Sequence, residues 1–500
     1  MRRSRWAVLA LGAAVLGAAP AWATWRRAES NNFILYSQSS EAKVREQAAL
    51  LEDYLQFLRI LTGVTDPAAP NKLRVYLVRG RDQLRVVRDV PAGVAGFYTA
   101  TPSGIAAFAD DRSGGWGEGD EEILLHEIAH HFMWQYRPSA YPAWFIEGFA
   151  EYAMTARFKP KTIEFGQPSM NRAAWLRNAR WLPFERVLFE TPPKRPQDAA
   201  LYYAQSWLAA HYLMRDDGRR EKFRSYLKAI ATGTAPRAAF TQQFGDVRTF
   251  ERGIETYAKR HLTFSRGTRS SAAIPPTVTI EVLPEAADAL LLSDAAMHVG
   301  VRDDFAPLLL ARVRSEAAKR PDDPYAKRVL AKAEILHGDA SKGDALLDEL
   351  LRGSSADAEL LYFKGMRHLR AGRMDEDERA RHFKQARNWF GRAHKADKYH
   401  FPTLARYAES LTTDPRFNSD NTMEIMLFAR ELAPQVEELT MNAAHLLLLR
   451  NKFEEAEAIL RPLASHPHDP SLAAAAQALA DRAREKGKTQ LPKPPPTPRE

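Results

Sequence analysis

The stretch His126-Glu127-Ile128-Ala129-His130, followed by Ala143-Trp144-Phe145-Ile146-Glu147-Gly148-Phe149-Ala150-Glu151-Tyr152, decides how this 500-residue chain is read. Residues 121–136 have the apolar spacing of a helix. Two imidazoles four residues apart project from one helical face a turn apart, so both can reach a single metal ion. Glu127 lies between them, where its carboxylate can take a proton from a metal-bound water without itself ligating. On its own this pattern also fits an exposed charged helix face. The second helix, after a break at Pro138 and Pro142, tips the reading. Its Glu147 can complete a two-His, one-carboxylate zinc site that leaves a fourth position open for water. Glu151, one turn on, is placed to accept a hydrogen bond from a ligating imidazole and fix its tautomer. His131 points about 100° away from His130 on the helix and reads either as support for the ligands or as packing.

Upstream, residues 25–36 form an opening segment that ends in a short strand. Over 42–62, Val44, Ala48, Leu51, Leu55, Leu58 and Leu61 fall at helical spacing, and Gly63 ends the helix. Strands are expected at 73–78 and 104–109. Helices are expected at 199–215, 219–232 and 247–262. Strands first and helices afterwards predict an α+β domain with a small sheet packed on helices.

These motifs resemble those of the gluzincin zinc metallopeptidases, specifically the peptidase MA-like families that join H-E-x-x-H to a downstream W-[FL]-x-E-G-x-A-E-Y segment. The resemblance covers about residues 25–262 and implies a zincin-like catalytic domain, bound Zn2+ and hydrolysis of peptide bonds. His126, His130 and Glu147 match the family's metal ligands and Glu127 its general base. Sixteen residues separate His130 from Glu147, a shorter connection than in the related zinc aminopeptidases, so a detailed aminopeptidase comparison does not transfer. Those enzymes also carry a Tyr in a Y-x-x-G segment that binds the developing oxyanion. Tyr203-Ala204-Gln205-Ser206 occupies a comparable place, with Ser206 where the Gly would be. Tyr203 is thus the implied catalytic partner, Tyr202 the neighbouring alternative, and a buried packing aromatic the bland reading. Aminopeptidases of the clan hold the substrate's free amine with an acid on the strand before the zinc helix. Here Gly104-Ile105-Ala106-Ala107-Phe108-Ala109 matches that edge and has no acid until Asp110 and Asp111. An endopeptidase is therefore expected, with that strand pairing to an extended peptide. Asp110, Asp111, Glu118 or Asp120 folding back would supply the missing charge.

Beyond residue 283 nearly everything is amphipathic helix with a degenerate repeat of about 34 residues. Ala444, Leu447, Ala456, Leu460 and Leu463 fit one helix-turn-helix copy, with Pro470 opening the next segment. Leu361, Gly365, Ala386, Phe390 and Ala393 fit another, and Ala429 and Pro434 repeat the closing spacing. This resembles the tetratricopeptide repeat over residues 283–484, which implies an all-α repeat domain with a concave face for a protein partner or substrate. An ordinary helical bundle is the alternative. Ser, Arg, Gly and Pro near residues 265–276 suggest a linker, drawn at 266–282, that few contacts cross. The domain boundaries are then 1–23, 24–265, 266–282, 283–484 and a disordered Lys- and Pro-rich tail at 485–500.

Arg2, Arg3 and Arg5, an apolar run over residues 6–19 and Ala21-Trp22-Ala23 read as a secretory signal peptide cleaved after Ala23. An uncleaved anchor is the alternative, although the run falls short of the roughly 20 residues that span a bilayer. The mature chain is expected in the periplasm or outside the cell, without a transmembrane helix. The chain has no cysteine, which excludes disulfides, thiolate zinc sites and a Cys nucleophile. Loss of three arginines with the signal lowers the formal charge from +9 to +6. Spread over this length, that charge carries no nucleic-acid signature. The rival function is an exported repeat scaffold with an inactive or structural zinc domain. Glu127 argues against it, because a structural site has no use for a base between its ligands.

Overall fold

The computed structural model describes residues 24–91, 94–111, 121–167, 170–260, 262–269, 277–415 and 417–490. The expected signal segment, Glu118, Asp120 and the last ten residues of the tail lie outside these. The remainder of the expected tail, residues 485–490, continues the helix Pro470–Gln490 instead of forming a separate disordered segment.

The N-terminal part is an α/β region built on a mixed six-stranded sheet. In chain order its strands are β1 (Arg26–Glu29), β2 (Phe33–Ser37), β3 (Leu73–Val78), β4 (Gly96–Thr101), β5 (Gly104–Asp110) and, far downstream, β9 (Thr279–Val282). Their order across the sheet is β4-β5-β3-β2-β1-β9. The pairs β2/β3 and β3/β5 are parallel, and the others antiparallel. A smaller antiparallel sheet joins β6 (Arg157–Phe158), β7 (Thr162–Phe165) and β8 (Ser265–Thr268).

Alternation along the strands gives the large sheet two apolar faces. Leu35, Val75, Leu77 and Ala107 share a core with Val44, Leu51 and Leu58 of the helix Glu41–Thr62. That helix starts at a Ser40 cap and ends at Gly63, whose φ of 69° is the left-handed conformation that glycine adopts without penalty. On the opposite face Tyr36, Tyr76, Phe108 and Phe97 are register partners on four successive strands. Their rings stack at centroid separations of 4.6, 4.9 and 4.8 Å. Cross-strand aromatic pairs of this kind stabilise a sheet and also demand cover. The cover comes from the helices Arg81–Val87 and Ala286–Val299, the latter being the first helix of the C-terminal region.

This arrangement corrects the linker. Within residues 266–282, Ser265–Thr268 pairs with β7, and Thr279–Val282 adds a sixth strand to the large sheet through β1. Residues 270–276 are not described. Both strands are short and neither buries a side chain, so the pairing depends on backbone partners distant in the chain. The second correction concerns the expected edge strand: β5 is paired on both sides, and the edge is β4.

From Ala286 onward, among the described residues, eleven α-helices follow one another to Gln490, each packed on its sequence neighbours in antiparallel hairpins. Asp323, Asp339, Asp357 and Ser419 cap helix starts. A Cβ on Gly365 would meet the Phe390 ring at 2.4 Å, so glycine there lets the paired helices close. Ala386, Phe390, Ala393, Ala444, Leu447, Ala456 and Leu460 are fully buried, as the repeat spacing requires. Among the described residues no helix is long and apolar enough to cross a membrane.

The helical region is not tethered at a distance. Phe401, Leu404, Met423, Met426, Leu439 and Leu446 belong to the same buried core as Leu124, Ile128 and Phe132. The expectation of few contacts across the boundary therefore fails, because helices of the array share a buried core with the N-terminal region.

Candidate metal centre

His126, Glu127, His130 and His131 lie on the helix Glu122–Tyr136, which buries Leu124, Leu125, Ile128, Ala129 and Phe132. Proline at 142, with φ −66° and ψ 145°, starts the helix Ala143–Ala153, of which every residue from Trp144 to Ala153 is buried. The two helices cross where their motifs face each other. His126 Nε2 is 3.0 Å from His130 Nε2, and Glu147 Oε2 lies 3.4 Å from the first and 3.5 Å from the second.

That triangle can be tested against a metal ion. Donors about 2.0–2.2 Å from a tetrahedral zinc stand about 3.3 Å from one another, close to all three edges found here. Glu147 is fully buried; its Oε2 faces the two imidazoles and its Oε1 meets the His468 ring nitrogen at 2.9 Å, all close contacts to imidazole nitrogens that lack full hydrogen-bond alignment. A buried carboxylate in that condition costs several kcal/mol unless a cation meets it. Burial works against protonation of His126, but Glu147, Glu151 and Glu127 raise its pKa to about 9. Burial likewise opposes ionisation of Glu147, yet the surrounding imidazoles hold its pKa well below the usual carboxylate value. The cluster is an anionic, oxygen- and nitrogen-lined pocket that calls for positive charge, and two imidazoles plus one carboxylate suit zinc.

The other expected residues fall as follows. Glu151 Oε1 is 3.6 Å from His126 Nδ1, an ion-pair contact slightly too long for a hydrogen bond. Arg172, which sequence reading missed, holds the same carboxylate with Nε at 2.8 Å and Nη2 at 2.6 Å. Its guanidinium also sits 5.3 Å from the centre of the Tyr203 ring. Tyr203 lines the cleft beside His126, the two ring centroids 6.4 Å apart. Burial raises the Tyr203 pKa, and the Glu147 charge adds to this, so the phenol keeps its proton. Tyr202 instead donates to the Glu190 carbonyl at 3.1 Å and packs in the core. His131 does not face the cluster. Its Nδ1 is 3.0 Å from the Tyr98 hydroxyl and 3.2 Å from Gln435 Nε2, so it joins β4 to the helical region. Asp111 is turned away toward Ser39 and Gln47.

The cleft over the cluster measures about 540 Å³. One wall is β4, from Gly96 to Ala100, and the floor holds His126, Glu127, His130, Glu147 and Tyr203. The opposite wall comes from the helical region: Pro434, Gln435, Glu437, Leu463, His466, Pro467 and His468. Sequence reading did not find this wall. Its only local signal was His466-Pro467-His468-Asp469-Pro470, two histidines in a loop stiffened by two prolines.

No protein-family model matches the chain, and no curated protein matches it. Among solved structures it is similar to that of a thermophilic TPR protein from Thermus thermophilus. The identity is 15%, the match covers 39% of this chain and 98% of that one, and the TM-score is 0.32. A likeness of this size assigns no function.

Proposed function

We propose that the protein is an exported zinc-dependent metallopeptidase that cuts internal peptide bonds of extended substrates. The observation that carries the reading is the His126, His130 and Glu147 triangle beside Glu127 at the floor of a cleft walled by a sheet edge. When bound there, zinc supplies Lewis acidity and lowers the pKa of a water toward neutrality. His126, His130 and Glu147 hold it, and Glu127 takes a proton from the attacking water and passes it to the leaving amine nitrogen. Tyr203, protonated and at the cleft floor, donates its hydroxyl hydrogen to the oxyanion that develops on the scissile carbonyl.

The edge strand β4 offers backbone groups to an extended peptide, and Gly96, Phe97, Tyr98, Thr99, Ala100 and Thr101 include no acid that would single out a free amine. Of the cleft acids, Glu437 is engaged by His466 at 2.7 Å. Nothing on that wall selects a chain terminus, which favours endopeptidase action.

The test is hydrolysis of a denatured protein and of one peptide in free and N-acetylated forms, by wild type and Glu127→Gln. Zinc retained with turnover lost in Glu127→Gln, and equal cutting of both peptide forms by wild type, support the proposal. Near-normal turnover by Glu127→Gln removes the base, and strict need for a free amine removes endopeptidase action.

A further inference from the structure

The C-terminal helical region reaches the metal cluster itself. His468 Nε2 lies 2.9 Å from Glu147 Oε1, on the side of the carboxylate away from the two imidazoles, which both face Oε2. His468 is not part of the three-residue donor group. Its ring centroid is 6.5 Å from that of His130, and its side chain is half exposed to the cleft.

The loop that presents His468 is braced at each step. His466 Nδ1 accepts from the backbone N–H of His468 at 3.3 Å and of Asp469 at 3.0 Å. The His466 ring stacks on Trp134 of the motif helix at 6.1 Å and an interplanar angle of 22°, while its Nε2 pairs with Glu437 at 2.7 Å. Asp469 then caps the last helix by accepting from Ser471 and Leu472. Pro467 and Pro470, which flank His468 and Asp469, remove backbone freedom. A side chain held this firmly does not meet a buried carboxylate by loop drift.

We propose that His468 is a positioning residue of the metal centre: it engages Glu147 Oε1 and so presents Oε2 to the metal, making the helical region part of the site. The proposal rests on the metal reading above. Partners that orient a ligating carboxylate typically change metal affinity by roughly 10–100-fold when removed. The contact also places a side chain of the helical region at the site, which a recruiting module on a free tether would not do.

The experiment is competition for zinc against a chelator of known affinity, on the full mature chain as wild type, His468→Ala and His468→Gln. Thermal melting of each metal-free protein is measured alongside. Expected are a roughly 10–100-fold weaker zinc affinity in His468→Ala, most of the wild-type affinity in His468→Gln, whose amide can still donate, and melting temperatures that agree. Wild-type affinity in His468→Ala overturns the inference while leaving the metal site standing. The same loss in His468→Gln as in His468→Ala also overturns it, because cleft packing then explains the effect. A wild-type chain that takes up no zinc overturns both this inference and the metal reading.

Discussion

A Cβ placed on Gly148 would lie 2.4 Å from the Ser206 carbonyl oxygen. The helix that carries Glu147 and the helix that carries Tyr203 can approach this closely only because position 148 has no side chain. One residue on each side of the crossing is thereby set: Glu147 precedes the glycine, and Tyr203 lies one turn before the serine.

Gly148→Ala should therefore be far more damaging than its size suggests. Backbone cannot yield as a flexible side chain does, so the helices must part, at about 1–3 kcal/mol for overpacking of this kind. Denaturant unfolding of the metal-free protein measures that loss. A zinc affinity reduced in parallel would show that the crossing aligns Glu147, whereas unchanged stability would mean that the helices slide without cost.

Arg172→Ala and Glu151→Ala separate support of the metal from support of the fold. Glu151 is buried and held by both ends of the Arg172 guanidinium. Removing the arginine alone leaves a buried carboxylate without its cation, typically a loss of about 3–5 kcal/mol. Glu151→Ala should also weaken zinc binding, by roughly 10–100-fold, through the freed His126 imidazole. Metal content and melting temperature of the two variants and the double variant give the coupling. Additive effects would sink the idea that the pair acts as one unit.

What the sequence made readable was local. The two motif helices, the helix ended by Gly63 and the small-residue spacing around Gly365 and Phe390 each announce themselves within a few turns of chain. The edge strand β4 was missed although Phe97, Tyr98 and Thr99 are good strand formers, because its place beside Phe108 is set by pairing, not by pattern. β9 was read as linker for a stronger reason: Thr279-Ile280-Glu281-Val282 buries little, and its partner Arg26–Glu29 is at the other end of the N-terminal region. His468 belongs to the same class. Nothing near it in sequence points to Glu147, and only the core that the later helices share with the two motif helices brings them together.

Truncation after Ser265 is expected to fail for that reason. The linker composition alone argued for a catalytic part that survives by itself. The cut instead removes β9, uncovers Tyr36, Tyr76 and Phe108, and strips the shared core of Phe401, Met423 and Leu439. An insoluble or zinc-free fragment is the expected outcome, checked by metal analysis and near-ultraviolet circular dichroism. A soluble, zinc-loaded fragment would contradict the shared core.

The last prediction concerns acid stability and uses a histidine outside the His126, His130 and Glu147 cluster. His211, fully buried on the helix Pro196–Met214, bonds through Nε2 to the Thr263 carbonyl at 3.0 Å and through Nδ1 to the Tyr257 hydroxyl at 2.9 Å. The neutral ring satisfies both by donating to the carbonyl and accepting from the phenol. Burial lowers its pKa to about 4, with Arg215 adding to the effect against the opposing Thr263 bond. An unfolded histidine titrates near 6.5. Between those two values the unfolded chain binds a proton that the native chain refuses, so stability is complete above about pH 6.5 and falls as the pH drops toward 4. A gap of this size corresponds to roughly 3 kcal/mol. His131, His368 and His400, also held near 4, and His298 and His337, also lowered by burial, act in the same direction, so the wild-type slope alone does not isolate His211. His211→Gln does, because its amide can donate to Thr263 and accept from Tyr257 without titrating. Denaturant unfolding at pH 7 and pH 4.5, with metal removed by chelation, should show the variant losing clearly less stability on acidification than the wild type. Equal losses in the two proteins would mean that His211 is protonated in the native state and that its buried hydrogen bonds have been misassigned.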